Sequence, residues 1–176
     1  MKRLLPSLLV IAAVVGLDQA CKALVAHALE LHQSVPLVDG LLSLSHVRNR
    51  GAAFGLLSDW DLPHQSILLS VLSVAALAAI AVYFLRLPAS AQLPRAALAL
   101  VLGGAVGNLV DRVRLGYVID FVHVYWRSHQ WPDFNVADSA ITIGVTLLVL
   151  DILRSPGQPA PQPQVDAAGG TTGRIE

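Results

Sequence analysis

The chain has 176 residues, of which 55% are hydrophobic and only 14% charged, with a mean hydropathy of +0.61, too apolar a balance for an ordinary soluble domain of this length. Lysine plus arginine equals aspartate plus glutamate at 12 each, so there is no basic field to draw nucleic acid or an anionic surface. A lone cysteine, Cys21, rules out an intramolecular disulfide, and the six histidines are scattered without metal-ligand spacing; each reads as a surface or interfacial side chain, and no metal or other cofactor is expected.

A membrane helix needs about 20 mostly apolar residues, and four stretches qualify: about Leu4–Ala28, Ser66–Leu87, Ala96–Leu115 and Val136–Leu153. The expected fold is therefore an all-α membrane protein of four spans with both termini on one side. The first span follows Lys2 and Arg3, as in a signal peptide, but no small-residue cleavage site follows and the run continues past Asp18 and Lys22, so it reads as a retained anchor. Asp18 and Gln19 also make "LDQAC" a poor lipoprotein cleavage site within this chain. Asp18 and Lys22 lie four apart, on one helix face, and can pair. Simple neutralisation near the interface and a direct role in a site are both open readings.

Between the first two spans, "SVPLVDGLLSLSHVRNRGAAFGLLSDWDLP" mixes alternating apolar residues with Gly, Asn and Pro. It predicts a short sheet or ribbon at the outer surface. In the third span, "GGAVGNLVDR" sets Gly103 and Gly107 at the spacing that lets helices approach closely. Glycine packing leaves Asn108 and Arg112 unexplained; they lie four apart near the outer end. An isolated guanidinium there is costly, so Arg112 is expected to touch a carboxylate, a headgroup or a substrate.

"GYVIDFVHVYW" then carries Asp120, and "FNVADSAITIG" opens the fourth span with Asn135 and Asp138. The third span runs out and the fourth runs back, so both acids fall on one side at similar depth. Asn135 is a candidate N-cap, which places Asp138 in the first helical turn, where free N–H groups favour an anion. Asp120 sits among Val118, Ile119, Phe121 and Val122, surroundings that should raise its pKa. Two close carboxylates in unequal environments suit an acid and a base working on one water. Either aspartate alone would read as an unremarkable interfacial side chain.

After Leu153 the chain becomes "RSPGQPAPQPQVDAAGGTTGRIE", a Pro/Gly/Gln-rich composition expected to be disordered. The division is thus a membrane domain over residues 1–154 and a polar tail over 155–176. Lys2, Arg3, Arg86, Arg95 and Arg154 flank one face, and Arg48, Arg50, Arg112, Arg114 and Arg127 the other, so the count hardly decides orientation. Cytoplasmic termini are favoured because the first span usually dominates. No internal repeat is visible.

Together "DQACK", "NRGAAFG", "GGAVGNLVDR", "VIDFV" and "FNVADS", in this order over most of residues 1–154, resemble the lipoprotein signal peptidases, the signal peptidase II family of bacterial inner-membrane aspartic peptidases. The resemblance implies that Asp120 and Asp138 are a catalytic dyad, and that Asp18, Lys22, Asn49, Gly51, Asn108, Arg112 and Asn135 shape the site or hold substrate. It implies a prolipoprotein substrate with a diacylglyceryl cysteine, cleaved just before that cysteine at a site near the periplasmic face. The segment between Asn49 and Asp61 would cover that site from the aqueous side. Arg50 receives no role. A monomer surrounded by membrane lipids is expected. The competing class is a small proton-coupled transporter, in which intramembrane carboxylates also occur; the few spans, the missing repeat and the clustering of both acids on one side weigh against it.

Overall fold

The computed structural model describes residues 4–51 and 65–154. Its elements are, in order, α1 (Leu5–Ala28), β1 (Ser34–Val38), β2 (Leu42–Asn49), α2 (Gln65–Arg86), α3 (Gln92–Leu115), β3 (Val118–Trp126), β4 (His129–Gln130) and α4 (Val136–Arg154). All four helices are long and apolar enough to cross a membrane. Three of them begin and end within a residue or so of the ranges expected from hydropathy. The third begins earlier, at Gln92, because Pro94 is tolerated in a first helical turn and Arg95 adds to a helix that hydropathy alone cuts short.

The third helix, α3, is the centre of the bundle and packs against each of the other three. In its most apolar stretch 56% of residues are buried, against 6% in α2, which leaves most of α2 to face lipid. Where no hydrophobic effect separates helix from lipid, close backbone approach decides the packing. A Cβ at Gly103 would press on Val14 of α1, and one at Gly104 would overlap the carbonyl of Ala137 on α4. Gly103 thus packs as its spacing suggests, and Gly104 does the same toward the other neighbour.

The expected sheet is present, with one correction. Among the described residues it has four antiparallel strands in the order β1-β2-β3-β4, two of them from the segment between α1 and α2. The others come from the chain between α3 and α4, where "VIDFVHVYW" is rich in β-branched and aromatic residues. The two sources join in register: Val47 lies opposite Asp120, Arg48 opposite Ile119 and Asn49 opposite Val118, with a bulge in β2 between Leu44 and Val47. Gly116, at φ +81, ends α3 by donating its N–H to the Arg112 carbonyl and turns the chain into β3. The sheet is seated on the end of α1 by Val25, Leu29 and Phe121, with Cys21, Leu44, Val122 and Val136 packed around them.

A second correction concerns His46. It is buried and not at the surface, and its Nδ1 lies 2.9 Å from the Leu29 carbonyl oxygen, which ties β2 to the end of α1.

Candidate active site

The polar residues singled out along the sequence converge where the ends of α1, α3 and α4 meet β2 and β3. Asn135 stands at the junction. It caps α4: its Oδ1 accepts the Asp138 N–H at 3.0 Å, and Asp138 Oδ2 accepts the Asn135 N–H at 3.3 Å. That reciprocal pair is a capping box with an aspartate at the third position. The expected N-cap and the expected first-turn carboxylate are both found.

The amide end of the same side chain reaches the other acid. Asn135 Nδ2 donates to Asp120 Oδ1 at 2.7 Å, so one fully buried asparagine touches both carboxylates. Each acid has a second amide partner. Asn49 Nδ2 donates to Asp120 Oδ2 at 2.9 Å, and Asn108 Nδ2 donates to Asp138 Oδ1 at 2.8 Å. Asn108 Oδ1 meanwhile accepts from Lys22 Nζ at 3.0 Å and from Asn135 Nδ2 at 3.2 Å.

Asp120 and Asp138 are buried, at 2% and 5% exposure, yet they differ in setting. Asp138 lies at the positive end of a helix. Asp120 lies on a strand, and its pKa is pushed from the usual 3.8 to about 7, first by burial and next by the charge of Asp138. The bonds from Asn49 and Asn135 and the charge of Lys22 pull it the other way. Such a pair can hold a single proton near neutrality, one group serving as acid and the other as base.

The Asp18/Lys22 pair forms, at 2.8 Å, but it is not alone. Lys22 Nζ is also 2.9 Å from Asp111 Oδ2, and all three side chains are almost completely buried. Asp18 Oδ1 accepts the Ala137 N–H in the first turn of α4 at 2.9 Å, so an acid of α1 helps to start α4. Room for it comes from Gly107, whose Cβ would fall 2.7 Å from Asp18 Oδ2.

Asp111 is the residue that sequence reasoning missed. It accepts from Gln19 Nε2 at 2.9 Å and from the Ile119 N–H at 3.1 Å, besides pairing with Lys22; it thereby ties α1, α3 and β3 together. A signal was present, since Gly104, Gly107, Asn108 and Asp111 recur at steps of three and four and share one face of α3.

Among the described residues Arg112 bonds no carboxylate. Its Nη2 donates to the Gly51 carbonyl at 3.0 Å, while the Gly51 N–H donates to Asn49 Oδ1 at 2.8 Å. Arg112 and Asn49 therefore grip the start of the segment that follows β2. Arg50 is exposed. The rest of the segment expected to cover the site, up to Asp61, lies outside the described residues, as does the tail at 155–176. Among the described residues every buried side-chain nitrogen and oxygen has a hydrogen-bond partner, and no group of three or more His, Cys, Asp or Glu side chains is placed to share a metal ion.

The sequence matches the family model described as signal peptidase (SPase) II over residues 10–154. Among curated relatives, the chain is 51% identical to the lipoprotein signal peptidase of Geobacter sulfurreducens over 145 residues, covering 82% of this chain and 89% of the relative. It is 46% identical to the lipoprotein signal peptidase of Geobacillus kaustophilus over 137 residues, covering 78% and 86%. Two solved bacterial membrane enzyme structures share the fold. One, at 2.3 Å resolution, has a TM-score of 0.76 and 27% identity and covers 97% of this chain and 94% of its own. The other, at 1.9 Å resolution, has a TM-score of 0.75 and 29% identity and covers 86% and 94%.

Proposed function

The chain belongs to the signal peptidase II family, and from that membership we propose how its buried polar cluster performs the family's reaction. It is a multi-pass bacterial membrane peptidase that removes signal peptides from prolipoproteins. Asp120 and Asp138 are the catalytic dyad in this reading, and the observation that carries it is the single asparagine, Asn135, hydrogen-bonded to both.

Asp138, at the α4 N-terminus and bonded by Asn108, takes a proton from the attacking water. Asp120, which keeps its proton to about pH 7, hydrogen-bonds the scissile carbonyl oxygen as charge develops on it. The tetrahedral intermediate is not attached to the enzyme, and proton return to the leaving amine completes hydrolysis. Asn49, Asn108 and Asn135 orient the acids, the Asp18–Lys22–Asp111 cluster fixes the helices that carry them, and Arg112 with Gly51 sets the entrance.

The substrate is a precursor with a diacylglyceryl cysteine, cut immediately before that cysteine while its acyl chains remain in lipid. The termini lie in the cytoplasm and the sheet and dyad near the periplasmic face of the inner membrane. What supports this orientation is the pair Lys2 and Arg3 before the first span. The protein works as a monomer; the cluster of nine residues named from the sequence is assembled within one chain. Incubating the detergent-purified protein with a diacylglyceryl precursor peptide and with the same peptide lacking lipid tests the reading. Cleavage of the first alone is expected, whereas an intact lipidated peptide would point to a transporter or a structural protein.

A further inference from the structure

At the opposite end of the bundle from the carboxylates, the starts of α1 and α3 enclose a half-open crevice of about 610 Å³, lined by Pro6, Ser7 and Val10 on one side and Leu93, Arg95 and Ala96 on the other. That volume is within the range of sites that hold small-molecule ligands. The wall is mostly hydrocarbon, and Arg95, which lines it, is only 8% exposed. It is firmly held: Nη1 donates to the Leu87 carbonyl at 3.2 Å, and the guanidinium lies 4.6 Å from the centre of the Phe84 ring. A guanidinium offers five N–H donors in a planar fork, the geometry that suits a phosphate.

Depth identifies the occupant. The crevice residues fall in the first two turns of α1 and α3. At 1.5 Å per residue Arg95 lies about 20 Å along the axis from Asn108, at the end where α2 finishes with Arg86 and α4 with Arg154. A helix end in a bilayer sits among the phosphates, with hydrocarbon directly beyond. Asp151 of α4, at the same end, does not line the crevice.

The geometry points to a phospholipid site: the phosphate of one membrane phospholipid is held on Arg95, and an acyl chain lies along Pro6, Val10 and Leu93. The site is separate from the peptidase centre and does not depend on how that centre works. An anionic glycerophospholipid fits best, since Arg86 and Arg154 add positive charge nearby.

Native mass spectrometry of the full chain, stripped of lipid in detergent and titrated with phosphatidylglycerol, tests the assignment by bound mass. One lipid should be retained per chain, and Arg95→Gln should bind it about tenfold more weakly, the worth of one charge-assisted bond. Because Arg95→Gln could perturb folding, Ala96→Trp is the second variant; it fills the crevice from an exposed helix position and should prevent retention with an unchanged melting temperature. Retention by both variants equal to wild type overturns the site. Diacylglycerol of the same chain length binding as well as the phospholipid removes the phosphate from it. Inorganic phosphate displacing the lipid at equal concentration makes the ligand a free anion and overturns the lipid assignment.

Discussion

Lys22 of α1 lies 2.9 Å from Asp111 of α3, with 2% and 3% of the side chains exposed. With Asp18 also at 2.8 Å, one ammonium bridges two carboxylates, offsetting the charge of one of them, where all three side chains are almost completely buried. Removing one member of a buried ion pair typically costs about 3–5 kcal/mol, because the partner's charge is left uncompensated. Lys22→Met should therefore lower the melting temperature in detergent, and Lys22→Met combined with Asp111→Asn should recover part of the loss. Unchanged stability together with lost turnover would move Lys22 from scaffold to reaction centre.

Asp120→Asn and Asp138→Asn should each abolish cleavage of a diacylglyceryl precursor while the folded protein still binds it. The double variant should be hardly slower than either single one, since groups that share one proton act as a unit and their losses do not add. Single-turnover assays with each variant provide the check; appreciable cleavage by either single variant would end the dyad proposal. Rates should also be the same with and without a chelator.

The raised pKa of Asp120 has a definite sign for stability. The unfolded chain releases this proton near 3.8, whereas the folded protein keeps it to about 7. Folding is thus favoured by protonation: the full benefit is present below pH 4, declines as pH rises and is gone above about 7. The difference is on the order of 4 kcal/mol. Melting temperatures in detergent should fall between about pH 4 and 7 for the wild type and change less for Asp120→Asn. Equal slopes for the two proteins would show that Asp120 titrates normally. Cleavage should lose its acid as pH rises through about 7, with apparent values that belong to the pair of carboxylates.

Arg112→Lys keeps the charge but loses the planar fork that reaches the Gly51 carbonyl. Turnover should drop by about tenfold, consistent with the loss of one charge-assisted hydrogen bond, with little change in melting temperature because Arg112 is only partly buried. Wild-type turnover in this variant would reduce Arg112 to an interfacial charge.

Truncation after Arg154 should leave cleavage nearly intact, since residues 155–176 are polar, rich in Pro and Gly, and beyond the last apolar helix. Loss of most activity in a truncated protein that still inserts into membranes would assign the tail a part in the reaction.

Much of this architecture is legible in the sequence because lipid permits few solutions. Four apolar runs gave four helices, and the "FNVAD" sequence announced a capped helix carrying an acid in its first turn. The part not read was relational. Asp111 was passed over because it sits between Asn108 and Arg112 in a motif whose helix face was not followed to its end. "VIDFVHVYW" was read for its aspartate alone, although its β-branched and aromatic residues make the strand that completes the sheet. Arg112 was expected to touch a carboxylate, a headgroup or a substrate; among the described residues its bond is to the Gly51 carbonyl, and no residue pattern marks a carbonyl as a partner. His46 was placed at the surface because the turn that folds β2 against the end of α1 has no local signature.

The pairing of Asn49 with Val118 and Val47 with Asp120 also bears on how the gene can change length. A strand shifted by one residue turns every side chain to the opposite face. A codon gained or lost between Val47 and Asn49 would therefore carry the amide of Asn49 away from Asp120 and leave that acid with one amide partner. The bend at Arg127, where φ is +56, carries less constraint, because β4 is two residues long and exposed; the chain is fixed again at Trp131, whose N–H donates to the Val124 carbonyl, and at Asp133, bonded to Ser45 and His123. Length variation is thus expected to accumulate in the turn at Arg127 and Ser128 and to be absent from the end of β2, so the sheet confines drift in the gene to its far corner.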